Sequence, residues 1–193
     1  VPVELTVLDF QLPDTIDAII FELNNYSQWR DRYGRLDADQ LVELEWSYHR
    51  LAHEHRLSFN SVTYGHPLGY RADAVPVLSG KGDGMHVADW TAWDAHYGPL
   101  LDGSAFRDCP RAGVPITHMY LPFFENWPSS LHDHFSYDVG KDMLGTFDDE
   151  YGREIRSVGG DFMKHFNEKK WTRTQFRSEE NTSELQSRQV NSY

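Results

Sequence analysis

The chain has 193 residues with 39% apolar and 14% aromatic content, enough to bury a core and outside the composition of disordered chains. Thirty acidic residues against 18 basic ones give a formal charge of −12, which argues against nucleic acid as a partner, because such binding rests on clustered Lys and Arg. No run of 18 apolar residues exists, so no membrane span is expected, and a single cysteine, Cys109, excludes an internal disulfide and a thiolate metal cluster.

The N-terminus Val1-Pro2-Val3-Glu4 carries neither an initiator Met nor a basic leader, so no signal peptide is expected and the start reads as internal. Residues 3–10, VELTVLDF, alternate and are rich in β-formers before Leu12-Pro13-Asp14 breaks the run, which predicts a strand within 1–12 belonging to a preceding domain. Asp17 to Asn24 is a nearly continuous apolar run of strand length, the pattern of a strand buried on both faces of a parallel sheet. From Asp39 to Arg56 the positions Leu41, Leu44, Tyr48, Leu51 and Ala52 recur at helical spacing and predict an amphipathic helix.

A strand over Leu57 to Tyr64 follows, then a loop rich in Gly and Pro from Gly65 to Gly84, then a helical stretch from Asp89 to Phe106. Pro115 to Leu121 reads as the next strand, ended by Pro122. The segment from Phe147 to Lys170 is predicted helical in its second half, with Ile155, Val158, Phe162, His165 and Phe166 on one face, although Gly159-Gly160 costs about 1 kcal/mol per glycine relative to Ala. Thr172 to Phe176 begins another strand.

Residues 177–193 show no apolar periodicity, and Arg177 to Ser187 closely resembles the conceptual translation of a sequencing-library adapter, with Asn181 the one departure. They are expected to be a non-native, disordered tail and are excluded from fold reasoning, Glu179 and Glu180 included. What remains, 13–176, alternates strands with helices, which argues for an α/β fold built on parallel strands. An open nucleotide-binding sheet calls for a glycine loop after its first strand, and Asn24-Asn25-Tyr26-Ser27 has none. The expected fold is therefore the N-terminal half of a (β/α)8, or TIM, barrel.

Barrel sites form at the C-terminal ends of the strands. The residues there are Asn24 and Tyr26 after the first strand, Tyr64 and His66 after the second, and Glu125 and Trp127 after the third. Amides, an imidazole, a carboxylate and flat rings on one rim suit a sugar, which is held by hydrogen bonds to its hydroxyls and by stacking on its faces. Asn25-Tyr26-Ser27 also fits a glycosylation acceptor.

A glycosidase needs two carboxyl groups, or one acid and a group orienting a substrate acetamide. Glu125 alone can be placed at a strand end, and Asp148-Asp149-Glu150 opens a helix where negative charge suits the dipole, so no catalytic pair is identified. Ten histidines raise the question of a metal. His49 and His53 lie four apart, and His132 and His134 share a loop, but no HExxH arrangement exists, and neither a metal nor a cofactor is expected. No G-x-S-x-G elbow supports a serine nucleophile.

Several segments resemble one family. Leu12-Pro13, Leu23-Asn24-Asn25-Tyr26, the run Tyr97 to Phe106, Tyr120-Leu121-Pro122 with Glu125-Asn126-Trp127-Pro128, and His165 to Trp171 together look like the barrel of glycoside hydrolase family 123 and related uncharacterised domains. The resemblance covers Leu5 to Phe176, with Lys170 in place of the usual glycine before the helix-end Trp171. It implies a β-sandwich ahead of the barrel, with 1–12 as its last strand, and substrate-assisted hydrolysis of N-acetylhexosaminides by a secreted, periplasmic or cell-surface enzyme. The family's Asp-Glu pair falls beyond the equivalent of Trp171, so the resemblance assigns no catalytic residue here. The chain is then an inactive piece whose partners are a carbohydrate and the remainder of its own barrel; the alternative is a non-catalytic carbohydrate-binding or surface module.

Overall fold

The structure, a computed structural model, describes residues 2–11, 21–23, 32–60, 74–123, 127–136 and 146–177. In chain order the elements are β1 (Phe21–Leu23), α1 (Ala38–Glu54), β2 (Ser58–Asn60), β3 (Val77–Ser79), β4 (His86–Asp89), α2 (Thr91–Leu101), β5 (His118–Tyr120), α3 (Leu131–His134), β6 (Phe135–Ser136), β7 (Thr146–Phe147), α4 (Asp149–Lys169) and β8 (Gln175–Arg177). Short 3-10 turns occupy Gly82–Gly84 and Ser104–Phe106. No described helix is long and apolar enough to cross a membrane.

The two parallel pairs are each joined through a helix, as a parallel pair must be. β1 pairs with β2, Phe21 opposite Ser58, with α1 between them in sequence. β5 pairs with β8, His118 opposite Gln175, with α4 between them. The pairs meet at their starting ends, where Ser58 and Thr117 share a hydrogen bond between hydroxyls at 2.9 Å. Thr174 donates its hydroxyl to the Ile116 carbonyl at 2.7 Å, which ties the approach to β8 to the approach to β5.

Residues 2–11 form no strand in the structure, and Val3, Leu5, Val7, Leu8 and Phe10 are exposed. The alternation expected to mark a strand over 3–10 is real, but a strand exists only with a neighbour to satisfy its backbone, and none is described beside it. The loop expected over 65–84 instead contains β3, which pairs antiparallel with β4. Gly80 allows the return: its φ is +83°, and a Cβ there would come 2.1 Å from the Gly84 carbonyl oxygen.

Helix α1 opens on a capping box, Asp37 Oδ1 accepting from the Gln40 N–H at 2.9 Å and Gln40 Oε1 from the Asp37 N–H at 3.1 Å. The stripe that the sequence pattern predicts is half-buried at Leu41, Leu44, Tyr48 and Ala52, and the most buried positions lie beside it. Leu51 is 52% exposed, while Glu45, His49 and His53 are buried. The imidazoles behave as flat rings here: His53 stacks on Phe106 at 4.0 Å and His49 meets the edge of Phe59 at 5.0 Å. Glu45 Oε1 lies 3.1 Å from His96 Nε2 on α2 and 3.7 Å from His49 Nε2. Burial works against its charge, yet the two imidazoles outweigh it and lower the Glu45 pKa from 4.5 to about 2.

The core lies between α2, α4 and the β5 edge. Trp93, Tyr97, Leu100 and Leu101 of α2 meet Val158, Phe162 and Phe166 of α4, and Met119, Phe123 and Trp127 close the cluster. The predicted face of α4 is the buried one, Ile155 only partly. The glycines at 159 and 160 leave it unbroken over 21 residues. Trp171 packs on Gly98, where a Cβ would come 3.3 Å from the indole. Cys109 is half-buried beside the core.

Two outcomes are expected. Lys170 caps α4 in the left-handed region, φ 61° and ψ 31°, where a non-glycine residue costs about 1 kcal/mol. Lys170→Gly should therefore stabilise the fold by about 1 kcal/mol in urea unfolding. Because the Glu45 pKa is lower in the folded chain, its contribution is present above pH 4.5 and is lost as the pH falls toward 2. Glu45→Gln should destabilise by on the order of 3 kcal/mol near pH 6 and flatten the acid limb of a stability-versus-pH curve.

Candidate functional site

Of the six residues expected on the rim, Asn24, Tyr26, Tyr64, His66 and Glu125 lie outside the described residues. Trp127 is described and is 9% exposed, with its ring 5.8 Å from Phe162 and 5.4 Å from Phe123, both in edge-on contact. The sequence pattern placed it among open stacking rings. In the structure the ring packs on the core cluster.

Beside Trp127, on the segment that leaves the C-terminal end of β5, a different set of side chains converges. α3 ends at His134, β6 follows, and the strand returns through β7 to the start of α4. Phe135 pairs with Phe147, and the Asp148 N–H donates to the His134 carbonyl at 3.0 Å, so the ladder holds His134 against the first turn of α4. Asp148 is the N-cap of that helix, its Oδ1 accepting from the Tyr151 N–H at 2.9 Å.

The His134 ring is engaged on both sides. Its Nδ1 lies 3.0 Å from each Asp148 carboxylate oxygen, and its Nε2 lies 2.8 Å from Ser129 Oγ and 3.6 Å from Glu154 Oε2. Glu154 is 3% exposed; its Oε1 accepts from the Gly82 N–H at 2.9 Å, while Oε2 is buried with no hydrogen-bond partner. One atom each from His134, Asp148 and Glu150 lie within 4.8 Å of one another.

The hydrogen bond to Asp148 raises the His134 pKa against the small opposing effect of burial, and the charges of Asp148, Glu154 and Glu150 add to the rise. Asp148 is held below the usual carboxylate range by the Tyr151 N–H first and by His134 second. Hydroxyl, imidazole and carboxylate stand in the order of a nucleophile, a base and its orienting group. Surrounded by three carboxylates, however, the imidazole is favoured in its charged form, which cannot take the hydroxyl proton. The arrangement suits a proton donor or a ligand that exchanges its proton for another cation.

The sequence showed His134 only as a loop neighbour of His132, and read Asp148 and Glu150 as dipole partners of a helix. The capping role of Asp148 agrees with that reading; the bond to His134 was invisible in it. Glu154 carried a signal that could have been used, since it stands one turn before Val158, at the edge of the apolar stripe of α4. An acid at such a position is buried only with a reason.

Comparison of the chain with family models, with curated proteins and with solved structures finds no match.

His134 should titrate above 6.5 in the folded chain, and Asp148→Ser, which keeps an N-cap oxygen but removes the charge, should bring it down, as read from the imidazole Cε1–H shift by NMR. The raised pKa means that this tie contributes to stability at low pH and weakens as the pH climbs through the folded value.

Proposed function

We propose that residues 13–176 form the first half of a (β/α)-barrel from a glycoside hydrolase acting on N-acetylhexosaminide glycans. In this reading the chain supplies a sugar-binding rim, and the catalytic carboxylates come from another part of the protein. The observation that carries it is the parallel pairing of β1 with β2 and of β5 with β8, with the two pairs meeting at their starting ends through Ser58 and Thr117. Each parallel pair sends the loops that follow its strands toward one side of that pair, the side on which an α/β fold binds its ligand.

Asn24, Tyr26, Tyr64, His66 and Glu125 begin those loops in the sequence, and their amides, rings and acid are the chemistry that a neutral sugar with an acetamide group requires. The formal charge of −12 is compatible with an uncharged ligand and unfavourable for an anionic one. The resemblance to glycoside hydrolase family 123 read from the Tyr97 to Phe106 and Glu125 to Pro128 segments supports the same class.

Titration with oligosaccharides of N-acetylglucosamine and N-acetylgalactosamine, followed by NMR, tests the reading. Saturable binding is expected with a Kd of roughly millimolar strength, weakened about fivefold or more by Tyr64→Ala, His66→Ala or Glu125→Gln, and without hydrolysis of an aryl N-acetylhexosaminide. A chain that binds neither sugar overturns the proposal. Hydrolysis by this chain alone overturns the division of labour, and glycan binding by a full-length protein that hydrolyses nothing favours the non-catalytic module.

A further inference from the structure

We propose that His134, Asp148 and Glu150 form a site for one divalent metal ion at the start of α4, with Glu154 and Ser129 setting the histidine for it. The inference does not depend on the glycan reading. Its first support is spacing: three donor atoms from three residues lie within 4.8 Å of one another, the separation of ligands that share an ion at about 2.0–2.4 Å from each. Asp148 and Glu150 are near neighbours at the helix start, and the fold adds the third member, His134, through the β6–β7 ladder.

The second support comes from Glu154, which is not one of the three. Glu154 is 3% exposed, and its Oε2, buried without a hydrogen-bond partner, lies 3.6 Å from His134 Nε2. An ionised oxygen in that position is costly unless positive charge stands near it. A histidine that ligates a metal through one ring nitrogen commonly donates the N–H of the other to a carboxylate or a hydroxyl, which fixes the tautomer and makes the ligating nitrogen more basic. Ser129 Oγ at 2.8 Å and Glu154 Oε2 at 3.6 Å both stand on the Nε2 side and can take its N–H, so an ion would replace the proton that Nδ1 shares with Asp148.

Charge favours the same conclusion. Asp148, Glu150 and Glu154 surround a single imidazole, so the group carries excess negative charge whether or not that ring is protonated. A divalent ion displaces at most one proton and compensates more charge than the proton does. One imidazole with carboxylates and no thiolate suits Zn²⁺ or Mn²⁺ better than Ca²⁺, which prefers oxygen alone.

Isothermal titration of the chain with ZnCl2 and MnCl2 tests the proposal, with CaCl2 as the oxygen-seeking comparison. One equivalent of Zn²⁺ or Mn²⁺ is expected to bind with release of protons, more tightly than Ca²⁺, and to raise the melting temperature. Glu150→Gln and Asp148→Ser should each weaken binding at least about tenfold, one lost charged ligand being worth about 1.4 kcal/mol or more. His132→Gln, whose side chain is 98% exposed, should leave it unchanged. Under Zn²⁺, the long-range ¹H–¹⁵N spectrum should show His134 with a proton on Nε2 and the metal on Nδ1. Glu154→Gln should weaken binding while leaving the stoichiometry at one. Binding that survives both ligand substitutions in variants with an unchanged circular dichroism spectrum, or no binding at millimolar metal, overturns the site.

Discussion

The ring of Phe162 is the contact on which the described fold depends. It lies 4.8 Å from Trp90, 5.2 Å from Trp93, 5.5 Å from Phe123, 5.8 Å from Trp127 and 5.4 Å from Phe166. Those rings come from the entry to α2, from α2 itself, from the segment after β5 and from α4, so one side chain fixes the distances among three parts of the chain. Removing a buried aromatic of this kind costs about 3–5 kcal/mol, a large share of the net stability of a small domain. Most of these contacts are edge-to-face, the geometry that the ring quadrupole favours over a flat sandwich.

With its apolar stripe committed to that hub, α4 uses a neighbouring stripe for a different purpose. Glu154, Ser157 and Asp161 follow one another at spacings of three and four, and each holds the backbone of the β3–β4 hairpin: Glu154 takes the Gly82 N–H at 2.9 Å, Ser157 donates to the Met85 carbonyl at 2.7 Å, and Asp161 takes the Val87 N–H at 2.8 Å. A hairpin of three- and four-residue strands is marginal by itself. Here its turn is satisfied by side chains of a helix that the aromatic hub has already positioned. The same arrangement puts Glu154 next to His134, so the polar cluster at the start of α4 is a consequence of how the hairpin is held.

Legibility in the sequence followed the range of the interaction. The α4 face was readable because Val158, Phe162, His165 and Phe166 repeat at helical spacing within one element, and the parallel strands were readable as short apolar runs between helices. The hairpin was not, because a connection from Gly80 to Met85 lacks a two-residue turn signature and its strands are too short to show alternation. The face of α1 was legible only in part, for another reason. Hydrophobicity counts Leu51 as core and His49 as surface, while the fold buries imidazoles against Phe59 and Phe106 and leaves Leu51 in water. Of the rim chemistry only Trp127 is described, and its burial shows that a ring beside a strand end can belong to the core. The contact of Asp148 with His134 joins residues 14 apart, and no local pattern encodes it.

Two of the described histidine and carboxylate groups set imidazoles against acids in opposite ratios. Around Glu45 two imidazoles stand by one carboxylate between α1 and α2, and the acid is pushed down to about 2, while its Oε2 and both His49 nitrogens are buried without a hydrogen-bond partner. Its effect is to tie α1 to α2 through the Glu45–His96 contact. Around His134 the ratio is reversed, with Asp148, Glu150 and Glu154 about a single ring and one buried oxygen of Glu154 without a hydrogen-bond partner. Desolvation penalises each carboxylate in proportion to its burial, and two imidazoles stand against that cost at Glu45 while a single ring stands among three carboxylates at the start of α4. That difference in ratio is why an added cation would gain more at the start of α4 than between α1 and α2.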